Sequence, residues 1–225
     1  MKKRADYPER TIITTWQISY DEVERRDIRA AKLIRLWGYL DNQELWYQLL
    51  EWPEWANPAP DWLQQITSTE ISFLATIGTL LDFSLIEQND NTETYSMHAV
   101  VHDWIQASND TRRDDGLLEI AITTIGLAVS EQYTKDGPTI RGRLLPHFIQ
   151  LLRYWSHVTN VQGYVDETIY IHGLQMLRIL CRDQGKLTEA EQMYQRALQD
   201  SEKMLGVEHI LTRNIINNLG VFYVD

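Results

Sequence analysis

LQMLRILCRDQGKLTEAEQMYQRALQDSEKMLG, residues 174–206, reads as helix, tight turn, helix. Leu174, Leu177 and Cys181 recur at three- and four-residue spacing, which puts them along one face of a first helix. Gly185 marks the turn. Ala190, Tyr194 and Ala197 run along a second helix. The small alanines let the two helices approach closely, and Tyr194 fills the gap toward a neighbouring hairpin. A shift of 42 residues brings the pattern back, with Ile216, Leu219, Gly220 and Tyr223 in the places of Leu174, Leu177, Arg178 and Cys181. Such a unit cannot cover its own apolar face and needs a stacked neighbour. The last residues, NNLGVFYVD, form an apolar stripe inside the first helix of the second copy, so the pattern predicts a sequence that continues beyond Asp225.

These spacings are those of a tetratricopeptide repeat, lengthened from the plain 34-residue unit. Residues 169–225 are therefore expected to hold about one and a half repeats of an α-helical solenoid. Upstream, residues 111–168 read as a helical linker leading into the repeats. TRRDDGLLEIAITTIGLAVSE and RLLPHFIQLLRYW are helical in pattern, with TKDGPT as the loop between them.

Residues 10–110 read differently. DEVERRDIRAAKLIRLWGYL, from Asp21, places Ala30, Leu33, Ile34 and Trp37 on one helical face, and Ser19 with Glu22 makes a capping box at its start. LDNQELWYQLL is expected to open a second helix after Gly38. EWPEWANPAPDW, with three prolines, must be a loop. TEISFLATIGTLLDF, residues 69–83, restores the helical period. Turn formers Asn89-Asp90-Asn91 then predict a β-hairpin, Ser84 to Gln88 paired with Thr94 to Met97, before a helix beginning AVVHDWIQ. Three helices followed by a two-stranded wing make a winged-helix domain. The fold class is mainly α: a winged helix with a small hairpin, then the repeat solenoid.

Composition narrows the function. Of 225 residues, 44% are hydrophobic, enough for a sizeable core. The longest apolar runs are a few residues, so no membrane partner is expected. A single cysteine, Cys181, allows no internal disulfide and fits a cytoplasmic protein. The net charge of −11 is uneven: residues 1–110 carry 9 Lys+Arg against 18 Asp+Glu, and residues 111–225 carry 12 against 14. The helix that would enter a DNA groove, TEISFLATIGTLLDF, contains no Lys or Arg, and the wing EQNDNTET is acidic. Phosphate contacts need cations, so no nucleic-acid partner is expected, although a DNA-binding winged helix is the natural alternative. Seven of the eight tryptophans lie before residue 105, as partly exposed core or as contacts to a neighbour.

Chemistry finds little to stand on. His98 and His102 are spaced i, i+4, but Ala99 stands where an H-E-x-x-H zinc site needs Glu, and zinc needs three or four ligands. There is no G-x-S-x-G, and Cys181 sits at a core position of a repeat helix. No G-x-x-x-x-G-K-[ST] or G-x-G-x-x-G occurs. No catalytic or metal residue is assigned, and the chain is not expected to be an enzyme.

GKLTEAEQMYQRALQDSEKMLGVEHILT resembles the kinesin-light-chain type of tetratricopeptide repeat, including the linker Gly206-x-x-His209-x-x-Thr212, with Ile210 in place of the usual proline and Arg178 in place of a small residue. TTWQISYDEV, AAKLIRLWGYLDNQELWYQLL and MHAVVHDW are similar, in order and spacing, to the winged-helix region of fungal NB-ARC or NLR-like STAND proteins that also carry such repeats. The resemblance covers residues 10–110 and 140–225 and lacks the NTPase domain. It implies a signalling regulator in which the winged helix couples a nucleotide switch to a partner-binding array, with a protein partner or self-association through the repeats. It also implies that His98, in Met97-His98-Ala99 where the family has Met-His-Asp, is an ADP sensor only when an NTPase domain is present. ADP or ATP is expected only for a full-length relative, with no cofactor in this chain. A stand-alone tetratricopeptide adaptor is the other alternative.

Overall fold

The computed structural model describes residues 7–90, 92–112, 116–130, 137–154, 163–183 and 187–222. Among these the chain is mainly helical, with one small three-stranded sheet. It divides into two compact units. The first comprises Met1–Gly38, Asn42–Leu50 and Asp61–Asp114; the second comprises Tyr39–Asp41, Glu51–Pro60 and Asp115–Asp225.

In the first unit, α1 (Tyr7–Arg26) and α2 (Ile28–Trp37) are separated by Asp27. Its backbone is extended, and its carboxylate accepts from Arg29 N at 2.9 Å, which caps α2. The expected single helix from Asp21 is thus two, and the Ser19–Glu22 box lies inside α1. Glu22 instead binds Arg25 and Arg26 one turn on, which holds its carboxyl down at about 2. The apolar face is as expected: Ala30, Leu33, Ile34 and Trp37 are fully buried. Gly38 ends α2 where a Cβ would come within 2.4 Å of Ile105 Cγ2.

The second expected helix does not form. Leu45–Trp46 is a strand, β1, followed by a 3-10 turn at Tyr47–Leu50. Glu44 has φ +51°, which breaks helical propagation, and both strand residues are buried. Tertiary pairing has overridden the helical spacing, and a two-residue strand carries no period of its own to reveal it. Helices α3 (Asp61–Thr67) and α4 (Glu70–Asp82) follow, α4 capped by Thr69 through Ser72 N. The hairpin is β2 (Glu87–Gln88) and β3 (Thr94–Ser96), somewhat shorter than expected. Sheet order is β1-β3-β2, antiparallel throughout, with Leu45 opposite Tyr95, Trp46 opposite Thr94, Glu87 opposite Ser96 and Gln88 opposite Tyr95. Asn42 closes the exit of β3: Met97 N donates to its carbonyl at 2.8 Å, and its amide donates to Met97 O at 2.7 Å. Helix α5 (Ala99–Arg112) is tied to α2 by a buried pair, Arg35 Nε donating to Asn109 Oδ1 and Asn109 Nδ2 donating to Arg35 O.

In the second unit, α6 (Leu117–Ser130) and α7 (Gly137–Tyr154) precede α8 (Glu167–Asp183), α9 (Leu187–Met204) and α10 (Ile210–Phe222). The helix expected from residue 111 to 131 does not run through. Gly116, at φ +61°, stands just ahead of α6, and a Cβ there would lie 2.2 Å from Tyr164. Helix α6 packs along α8, α8 along α9, and α9 along α10. Pro58 is joined to Asn57 by a cis peptide bond in the Glu51–Pro60 segment, which packs with this unit.

Candidate interaction surface

The helical stack begins where Asp166 starts α8. Its carboxylate accepts from Thr168 N at 2.9 Å and Ile169 N at 3.3 Å, and from the Thr168 hydroxyl. These bonds, the hydroxyl first, hold its carboxyl below the usual carboxylate range. Glu119 on α6 accepts from Val165 N at 2.9 Å, fixing the start of α8 against α6. The two helices then approach to backbone contact. A Cβ on Gly126 would lie 2.3 Å from Gly173 O and 2.5 Å from Gly173 Cα. A Cβ on Gly173 would lie 3.1 Å from Thr123 Cα. No larger residue fits this crossing without parting the helices.

Across α8, the core is largely apolar. Leu174, Leu177, Leu180 and Ala197 are buried. Tyr170 is fully buried with its hydroxyl unpartnered, and desolvation pushes that phenol far up. On α9, Arg196 Nε donates to Asp200 Oδ2 at 2.8 Å, a largely shielded pair.

The linker between α9 and α10 gives the Gly206-x-x-His209-x-x-Thr212 spacing its reason. Gly206 takes φ +89°, a left-handed helix end that suits glycine, and its N–H reaches back to the carbonyls of Ser201 and Glu202. His209 caps α10, its Nδ1 accepting from Leu211 N at 3.3 Å. The buried Thr212 hydroxyl donates to Gly206 O at 2.8 Å and shares a 2.5 Å bond with Ser201 Oγ. Ile210 stands where proline would also fit, at the first position of a helix.

Of the residues singled out by the repeat spacing, Leu174 and Leu177 on α8 and Ala197 on α9 are buried. Ala190 and Tyr194 lie on α9 and Gly220 on α10, while their side chains, with those of Cys181 and Arg178, fall outside the described residues, as do Gly185 and Tyr223. Sequence reasoning missed Gly126 and Gly173. Their signal was a small-residue run in AITTIGLA and a lone glycine in IHGLQ, on helices whose pairing the spacing did not reveal.

It also missed where two tryptophans go. Trp52 is buried, and its indole N–H donates to Thr124 Oγ1 on α6 at 3.1 Å. Trp55 meets the His172 ring on α8 edge-on at 4.8 Å. Burial holds the His172 imidazole below its ordinary pKa. In the first unit, Trp37 and Trp46 are core, Trp104 packs edge-on against Tyr20, and Lys32 sits over Trp62.

His98 is exposed and stands just ahead of α5. Its Nδ1 accepts from Val100 N at 3.3 Å and its carbonyl from His102 N at 3.0 Å, so it caps the helix. His102 is buried with Gln106 against its ring. The two histidines therefore do not share a helical face, and among the described residues no group of three or more His, Cys, Asp or Glu could hold a metal. The depression at the hairpin tip is lined by Gln88, Asn89, Asp90, Thr92 and Glu93. Its two carboxylates and lack of a cation are the wrong sign for phosphate. Among the described residues, no helix is long and apolar enough to cross a membrane.

No curated protein and no solved structure matches the chain. A family model for the tetratricopeptide repeat matches residues 178–211, which run from the second half of α8 through α9 to the start of α10. This stretch of the second unit is similar to a tetratricopeptide repeat, a kind of unit that generally mediates protein–protein interaction rather than catalysis.

Proposed function

We propose that the chain is a non-catalytic interaction segment of an NLR-like signalling regulator, in which a winged helix precedes a tetratricopeptide array that binds a protein partner. The observation that carries the reading is the repeat at residues 178–211, because a helical-hairpin stack exists to present an extended surface. Support for the array beyond that match comes from α6 and α7, which pack beside α8 as a preceding hairpin would.

The winged-helix part is supported by element order. Helix α2, strand β1, helices α3 and α4, then hairpin β2–β3, with β1 joined to β3, is the order such domains use. Its role here is coupling rather than DNA reading, since α4 presents no Lys or Arg to a phosphate. In this reading His98, exposed just ahead of α5, serves as an ADP sensor only where an NTPase domain supplies the phosphate loop. This chain alone takes no cofactor and works in the cytoplasm.

Long-read sequencing of the transcript tests the regulatory context. The expected reading frame runs upstream into a G-x-x-x-x-G-K-[ST] segment and downstream into further repeats of about 42 residues. A frame confined to these 225 residues would refute the nucleotide-switch reading.

A further inference from the structure

Residues 51–60, EWPEWANPAP, interrupt the first unit in sequence but pack as part of the second. They behave as a docked peptide does. Pro53 has φ −60° and ψ 151°, and Asn57 has φ −85° and ψ 147°, so both ends of the short Glu54–Ala56 turn are near polyproline geometry. Prolines withhold amide hydrogens, so such a segment can lie across helices with few main-chain bonds left unmade. Anchoring falls to side chains. Trp52 is 8% exposed and bonded to Thr124 of α6, Trp55 touches His172 of α8, and Ala56 and Ala59 are buried.

The fit is incomplete. Trp55 remains 56% exposed. On α8, the Nε2 of His172, the residue that Trp55 meets, is buried without a hydrogen-bond partner. An unsatisfied buried polar atom is costly, and a ligand able to reach it would hold the surface better than the segment now there.

We propose that the surface of α6 and α8 is a peptide-docking site occupied in cis by residues 51–60, and that a partner protein engages it with an extended, proline-flanked segment carrying two aromatic anchors three residues apart. The inference rests on the reading of the helical array as an interaction surface. It adds the chemistry of the ligand and a means of control. A tethered segment acts at an effective concentration of about millimolar, so only a partner with better contacts, or at high local concentration, displaces it. The site is closed to weak ligands and open to specific ones.

The probe is a fluorescein-labelled synthetic peptide copying residues 50–61, added to the full chain. The W52A/W55A variant vacates the site, so the peptide should bind it at least about tenfold more tightly than it binds the wild type, whose competent fraction is small. Adding T124V and H172A to that variant should abolish binding. Circular dichroism verifies folding. If W52A/W55A does not fold, the wild type decides: excess isotope-labelled peptide should raise deuterium uptake at residues 51–60 about tenfold, and no change overturns the proposal. Equal binding to both proteins, or to neither, also overturns it. A dimer that the peptide dissociates would assign the site to a second copy and overturn the partner assignment. Loss of the peptide result while partner proteins still cross-link to α10 would defeat this inference alone. Loss of both would defeat the interaction reading as well.

Discussion

The contact between Gly126 and Gly173 makes a sharp prediction, because a matched control lies in the same unit. Gly126 sits inside α6 and Gly142 inside α7. Replacing either by Ala gains the same helix propensity, about 0.5–1 kcal/mol. At Gly142 a Cβ meets nothing within 4 Å, so the whole gain should appear as stability. At Gly126 it would lie 2.3 Å from the Gly173 carbonyl oxygen and 2.5 Å from its Cα. Ordinary contact begins at 3.4 Å, so α8 must move away by roughly 1 Å, and what it meets is backbone that cannot rotate aside. Overpacking of this kind costs about 1–3 kcal/mol, and the rigid obstacle places it toward the upper end. Since propensity cancels between the two variants, G126A should be less stable than G142A by about 2–3 kcal/mol, and less stable than the wild type by about 1–2 kcal/mol. Urea unfolding followed by far-ultraviolet circular dichroism measures this, with an unchanged m-value certifying the comparison. A G126A protein as stable as G142A would show that α6 and α8 do not cross at these glycines, and the stacking described for the second unit would fall with it.

Three further outcomes follow from the same geometry. T212V removes the hydroxyl that bonds Gly206 O and Ser201 Oγ in a buried linker, and should cost about 1–3 kcal/mol in urea unfolding, whereas T212S should recover much of it. Asp166 should stabilise the fold in a pH-dependent way. Its folded pKa is lowered, so its contribution is fully present above the unfolded value of about 3.9 and is lost as pH falls through the folded value. D166N keeps a cap acceptor without the charge, so its stability deficit measured at pH 7 should vanish on acidification below that range. Fluorescence anisotropy with a labelled DNA duplex at low salt should show no binding above background, since α4 carries no cation and the hairpin tip is acidic; a salt-dependent micromolar affinity would restore the DNA-reading alternative.

Sequence legibility followed the periodicity. Helices α2, α4, α8 and α9 carry long apolar stripes, and their buried faces came straight from the spacing: Ala30, Leu33, Ile34 and Trp37 in one unit, Leu174, Leu177 and Ala197 in the other. Short elements were opaque. The two residues of β1 are buried and carry no period, so LDNQELWYQLL read as helix until pairing with β3 fixed it as strand. Helix breaks at Asp27 and Gly116 were hidden because no proline marks them; only a cap and a left-handed glycine do. The placement of Trp52 and Trp55 on α6 and α8 was beyond local pattern altogether. Composition showed a loop with two indoles; which surface would bury them depends on contacts 72 residues and more away in sequence.

The helical array of the second unit, from α8 onward, is proposed to receive a protein partner. Site-specific photo-cross-linking in the native cell tests it directly. A photoreactive residue would be placed at Asn214 or Asn217, both exposed on α10, and for comparison at Glu70 or Asp82, both exposed on α4. The expected result is a discrete cross-linked partner from the α10 positions, retained when the chain carries G142A. Cross-links from α4 with none from α10 would contradict it, and would move the interaction to the first unit.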